Sequence, residues 1–340
     1  MVDSDTATKL EPLFVIGCAW VALIVGMQAR PLLLRRVPGV LWRLVWIDLV
    51  VAALLALLAT VILARTGVAA GPSALLLGGV TIFVALSGWN PETRSLRVRF
   101  EVASGRLATI VQAGSGLAAL LGLAIASVAA SWQEPVGLAR ALVAAAAIVG
   151  AGWVVMADRV PDSAMATRRM VVLIGMMAFA AGAAGIVGIG PMLLALLVGA
   201  AVANVRGALL SIESVAQKLE PLAAWLVQLG AGFYGASGHS MWWLLLPMAF
   251  AATRLVLKPA LLRDALRHEG TSVDLASPLM HATSRQAPLA VALALNFALF
   301  TPSPLARGLL LAVALTAPFV SIAPLAIANI RRMAWRRVPG

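Results

Sequence analysis

Apolar stretches of about 20 residues follow one another along the whole of this chain, each long enough to cross a hydrocarbon core roughly 30 Å thick as a helix. Eleven can be read, at about 12–29, 45–64, 72–89, 107–130, 138–156, 170–187, 190–205, 220–236, 241–262, 286–300 and 306–328. In lipid only helices and closed barrels satisfy every backbone N–H and C=O internally, and runs of this length are too long for barrel strands. The expectation is an all-α polytopic membrane protein with about eleven transmembrane helices. Composition agrees: 61% of residues are hydrophobic and 12% charged, with a mean hydropathy of +0.96, well beyond a soluble domain.

The net charge of +12 and pI near 11.6 would suggest nucleic acid if the basic residues formed one patch. They alternate between loops instead. Arg30, Arg35, Arg36 and Arg43 lie between the first two segments, and Arg94, Arg97, Arg99 and Arg106 between the third and fourth. Arg159, Arg168 and Arg169 follow the fifth, Arg206 and Lys218 the seventh, and Arg263, Arg267 and Arg285 the ninth. Arg331, Arg332, Arg336 and Arg337 close the chain, whereas the opposite side holds Lys9, Arg65, Arg140 and Arg307. Cytoplasmic loops carry this excess, so the N-terminus is expected outside, the C-terminus in the cytoplasm, and the protein in the inner membrane. The basic pI is then a topology signal, and nucleic acid is not an expected partner.

Other chemistry is sparse. Cys18 is the single cysteine and falls in the first segment, and His239, His268 and His281 lack ligand spacing, so neither a disulfide framework nor a metal or other cofactor is expected. No cleavable signal peptide is read in the acidic start "MVDSD". Trp42, Trp89, Trp132, Trp242 and Trp335 lie near predicted helix ends, where indole rings anchor at the interface. Of the longer polar connections, 90–106 is expected along the inner surface and 263–285 as a hinge. The glycines of "GAAGIVGIGP", 182–191, follow no strand, so they do not make a nucleotide loop. Ala195, Gly199 and Ala203 recur every fourth residue, a small-residue face that lets another helix approach closely. No hydrolase triad is marked, and no enzymatic activity is expected.

The run "RMVVLIGMMAFAAGAAGIVGIGPMLLALLVGAAVANVRGALLSIESVAQKLEPLAAWLVQLGAGFYG", 169–235, resembles the later membrane helices of monovalent cation:proton antiporters of the Kef- and NapA-like branch. "LVLKPALL", with Lys258 before Pro259, is similar to the basic residue many members carry in the following helix, and "FVALSGWNPETRSLR", 83–97, is similar to a helix end with its basic flank. The resemblance implies two inverted repeats, a scaffold and a mobile core, and broken helices crossing near the midplane. It divides the chain into an N-terminal membrane half, 1–168, and a C-terminal half, 169–340, with a basic tail. It also implies exchange of Na⁺ or K⁺, or a related small solute, for protons, in a homodimer or with a membrane partner subunit.

The family's ion-binding aspartate pair is missing. The fifth and sixth segments have no interior acid, and Asp158 stands at a segment end. Asp48, in "RLVWIDLVVAALLALL", is the one carboxylate inside a predicted segment. It is either an interfacial acid paired with Arg43 or Arg36, or a substitute ion site. Gln112, Ser115, Gln228, Thr253 and Asn296 are possible neutral ligands, or make ordinary interhelical hydrogen bonds. Arg254 and Lys258 stand about 13 and 17 residues into the ninth segment, roughly 20 and 26 Å at 1.5 Å per residue. They either snorkel to the inner surface or point into the core beside an acid. The candidate transport residues are therefore Asp48, Arg254, Lys258, Asn296 and Gln112. The two functions to separate are secondary transport and a degenerate, non-transporting subunit that acts as sensor, scaffold or assembly partner.

Overall fold

The computed structural model describes residues 4–27, 39–65, 72–87, 121, 135–157, 162–187, 190–204, 212–235, 242–257, 260, 288–300 and 303–317. Among the described residues the architecture is all-helical, with no strand. The helices are α1 (Ser4–Met27), α2 (Gly39–Arg65), α3 (Pro72–Ser87), α4 (Pro135–Ala157), α5 (Asp162–Val187), α6 (Pro191–Asn204), α7 (Ile212–Gly235), α8 (Trp242–Ala252, continuing as a π-helical turn over Thr253–Leu257) and α9 (Pro288–Phe300). The last is α10 (Pro304–Ala317). Ten of the eleven predicted segments coincide with these helices, and 107–130 lies outside the described residues apart from Leu121.

Proline marks where many of them start. Pro72, Pro135, Pro191, Pro288 and Pro304 each open a helix, the position where a missing N–H costs nothing because the first turn has no intrahelical acceptor for it. At α10 the cap is complete: Ser303 Oγ accepts from the Ala306 N–H at 3.1 Å and the Ser303 carbonyl from Arg307 N at 3.2 Å. At α6 the Gly190 carbonyl takes Leu193 N at 3.0 Å. Four helices begin well before the sequence expectation, α1 at Ser4 rather than near 12 and α5 at Asp162 rather than near 170 among them. α7 begins at Ile212 rather than near 220, because its opening turns, "IESVAQKLEP", are polar yet helical. α2 begins at Gly39 rather than 45, which puts Asp48 about 14 Å into the helix but still within the first turn of its apolar stretch, Trp46–Arg65.

α1 is the hub of the bundle, packed against α6, α7, α9 and α5. Its tightest crossing is with α6 and depends on glycine. A methyl group on Gly199 would strike the Leu23 carbonyl, and one on Gly26 the Leu196 carbonyl, so the backbones meet where the small-residue face was read. Against α7, Trp20 Nε1 donates to the Ala216 carbonyl at 3.4 Å, and Phe14 meets Phe233 and Tyr234 with ring centroids 5.9 and 6.2 Å apart. Against α9, Cys18 Sγ donates to the Ala292 carbonyl at 3.4 Å.

Among the described residues three helices are long and apolar enough to cross a membrane, over Lys9–Met27, Trp46–Arg65 and Thr167–Ala184. α2 shows what surrounds the bundle. Trp46, Val50, Leu54, Leu57, Leu58, Val61 and Ile62 are exposed, while Asp48, Leu49, Ala52 and Ala56 are buried. In water the order would be reversed, with the carboxylate outside and the large apolar side chains inside. The same outward apolar surface continues over Val143 and Val154 of α4, Val171 and Phe179 of α5, and Trp225 of α7. Such a surface is compatible with a membrane protein.

Candidate functional site

The buried polar and charged residues of the described chain are few: Asp48, Thr81, Ser87, Arg254, Ser303 and Thr316. Two carry charge, and they belong together. Asp48 of α2 is 3% exposed and Arg254, in the π-helical turn, is 0% exposed. The Asp48 carboxylate acts electrostatically on the Arg254 guanidinium. Arg254 Nη1 also donates to the Ala85 carbonyl in the last turn of α3. One cation thereby links the end of α8 to the consecutive helices α2 and α3.

Each element contributes for a local reason. In α3 the Ala85 carbonyl, in the last described turn, takes the guanidinium. α2 and α3 pack along each other, with Gly79 of α3 set against Thr60 of α2, and this brings the Asp48 stretch of α2 toward that end. In α8 the turn widens just where Arg254 leaves it. Thr253 Oγ1 donates to the Ala249 carbonyl at 2.8 Å, competing for the acceptor that the Thr253 N–H would use in a regular α-helix. π-turns of this kind recur at functional sites.

Arg254 therefore does not snorkel. It is the largest fully buried side chain, while its neighbours Val256 and Leu257 are exposed. Arg36 and the Arg43 side chain lie outside the described residues, while Asp48 acts electrostatically on Arg254. The signal that could have found it was the Arg–acid pair of charges inside otherwise apolar segments. Asn296 stands beside Gly190 at the start of α6, and its Oδ1 is buried with no hydrogen-bond partner among the described residues. Thr253 bonds within its own helix, and Gln228 of α7 is half-buried. Lys258, Gln112 and Ser115 lie outside the described residues.

Chemically, the pair is a carboxylate and a fixed cation withdrawn from solvent, with no group of three or more His, Cys, Asp or Glu able to hold a metal ion among the described residues. A carboxylate in this setting can carry a proton or accept a cation. The guanidinium can do neither, since it stays charged and only donates. No family model matches the chain, and no curated protein matches it.

Proposed function

We propose that this chain is a secondary transporter of the inner membrane, similar to monovalent cation:proton antiporters, which exchanges Na⁺ or K⁺, or a related small solute, for protons. The observation that carries the reading is the burial of Asp48 and Arg254 together inside an apolar helical bundle. Ionisable residues in membrane helices are expensive and are found chiefly on ion and proton pathways. In this reading eleven helices span the membrane, with the N-terminus outside and the C-terminus in the cytoplasm. Asp48 holds either a proton or the transported cation. Arg254 offsets the carboxylate charge when neither is bound, so the site is never a bare buried anion. A homodimer is the expected assembly, and a monomer mass in both mild detergent and nanodiscs would count against it.

One observation favours a second reading. The bond from Arg254 to the Ala85 carbonyl ties α8 to the end of α3, as a static brace in a non-transporting sensor, scaffold or assembly subunit would. The two separate in proteoliposomes carrying an interior pH dye and an imposed Na⁺ or K⁺ gradient. Transport predicts cation-dependent proton movement above that of empty liposomes, and a brace predicts none at any pH.

A further inference from the structure

Four threonines of the described helices satisfy their hydroxyls in one way. Thr60, Thr81 and Thr253 each donate to the carbonyl four residues earlier, Ala56, Leu77 and Ala249, at 2.7, 2.8 and 2.8 Å, and Thr316 does the same to Ala312. Ser87 differs. It is completely buried, yet its Oγ has no hydrogen-bond partner among the described residues. Leaving a buried hydroxyl unmet is costly, so such a group calls for an explanation of its own.

Its position supplies one. Ser87 is the last residue of α3, two beyond Ala85, the residue whose carbonyl receives Arg254. The last described turn of α3 thus holds, next to the carbonyl that receives Arg254, an unengaged hydroxyl oxygen. Arg254 links that end to the Asp48 carboxylate. Every one of these acceptors is a hard oxygen. A carboxylate, a hydroxyl and a main-chain carbonyl together suit a dehydrated alkali cation, which takes oxygen ligands. An anion would meet the Asp48 carboxylate, and the buried cation at hand, Arg254, is already engaged by the Ala85 carbonyl and Asp48.

We propose that Ser87 Oγ and the Ala85 carbonyl of α3, with Asp48, form the oxygen seat for an alkali cation. This rests on the transport reading and adds to it a ligand that the sequence did not mark. Ser87 is then a determinant of cation affinity, whereas Asp48 carries the exchangeable charge.

The test has a binding arm and a transport arm. In detergent, the melting temperature is followed with added NaCl, KCl or N-methylglucamine chloride at equal ionic strength, for wild type, Ser87→Ala and Ser87→Thr. The expected result is stabilisation of the wild type by Na⁺ or K⁺ but not by N-methylglucamine. Ser87→Ala should shift its concentration dependence about tenfold upward, and Ser87→Thr, which keeps the hydroxyl, should restore it. Equal responses from Ser87→Ala and wild type would overturn the seat, and so would a wild type indifferent to both small cations. Which of Na⁺ and K⁺ acts at the lower concentration names the preferred ion. In proteoliposomes the half-saturating cation concentration should rise by the same factor in Ser87→Ala. Exchange with unchanged half-saturation would sink the role of Ser87 while leaving the transporter standing. Absence of exchange in the wild type would instead remove the reading beneath it.

Discussion

A double-mutant cycle on Asp48 and Arg254 gives the energetic core of this account a number. Arg254→Met removes a cation that is 0% exposed, keeps most of the side-chain volume, leaves Asp48 buried without that charge, and takes the donor from the Ala85 carbonyl. Breaking a buried ion pair from one side costs about 3–5 kcal/mol, and the abandoned carbonyl adds about 1 kcal/mol. Asp48→Asn should cost less, because Arg254 keeps its carbonyl acceptor and the amide can still accept a hydrogen bond. The double variant removes both charges, so the two losses should not add. The expected coupling lies at about 1–3 kcal/mol, the range for residues in direct contact or sharing one polar network. Reversible unfolding in mixed detergent micelles, read by tryptophan fluorescence, measures all four corners. Losses that add within about 0.5 kcal/mol would refute the claim that these side chains share one site.

Two further perturbations test the packing and the orientation. Gly199→Leu should destabilise by at least the 1–3 kcal/mol typical of overpacking, because the new side chain meets the Leu23 carbonyl of α1 rather than a side chain that could move; Gly232→Ala, with open space around it, should be nearly silent in the same unfolding assay. For orientation, single cysteines at 95 or 338 in a Cys18→Ser background should react only with a thiol reagent supplied from the cytoplasm, and one at 237 only from outside. The serine keeps a donor for the Ala292 carbonyl, which Cys18 serves now, so the background should fold. Labelling of 338 from outside and 237 from inside would reverse the topology.

The periodic and compositional features were legible because lipid-facing helices need only length and apolarity. The Gly199 face followed from its four-residue spacing, though its partner Gly26 on α1 was not named, and the proline openings at Pro191, Pro288 and Pro304 were not read at all. The opening turns of α7 were missed because a polar helix beginning carries no hydropathy signal. The depth of Arg254 was readable at 1.5 Å per residue, but its direction was not. Rotation about the axis depends on the π-turn at Thr253–Leu257, and a wider turn moves every later side chain off the regular helical wheel. The pairing with Asp48 was hidden for a second reason: the partners sit on helices far apart in the chain, and only the packed bundle brings them together. Ser87 gave no signal at all, since a serine at the end of an apolar segment is ordinary until its hydroxyl is found buried without a partner.

The most direct test of the central claim, that Asp48 beside Arg254 is the exchanging group, is proton movement in proteoliposomes containing equal amounts of wild type and Asp48→Asn under an outward Na⁺ or K⁺ gradient. The account predicts cation-driven proton movement in the wild type and its loss in Asp48→Asn, because an amide neither releases nor binds the exchanged proton. Exchange that survives Asp48→Asn at the wild-type rate would contradict it.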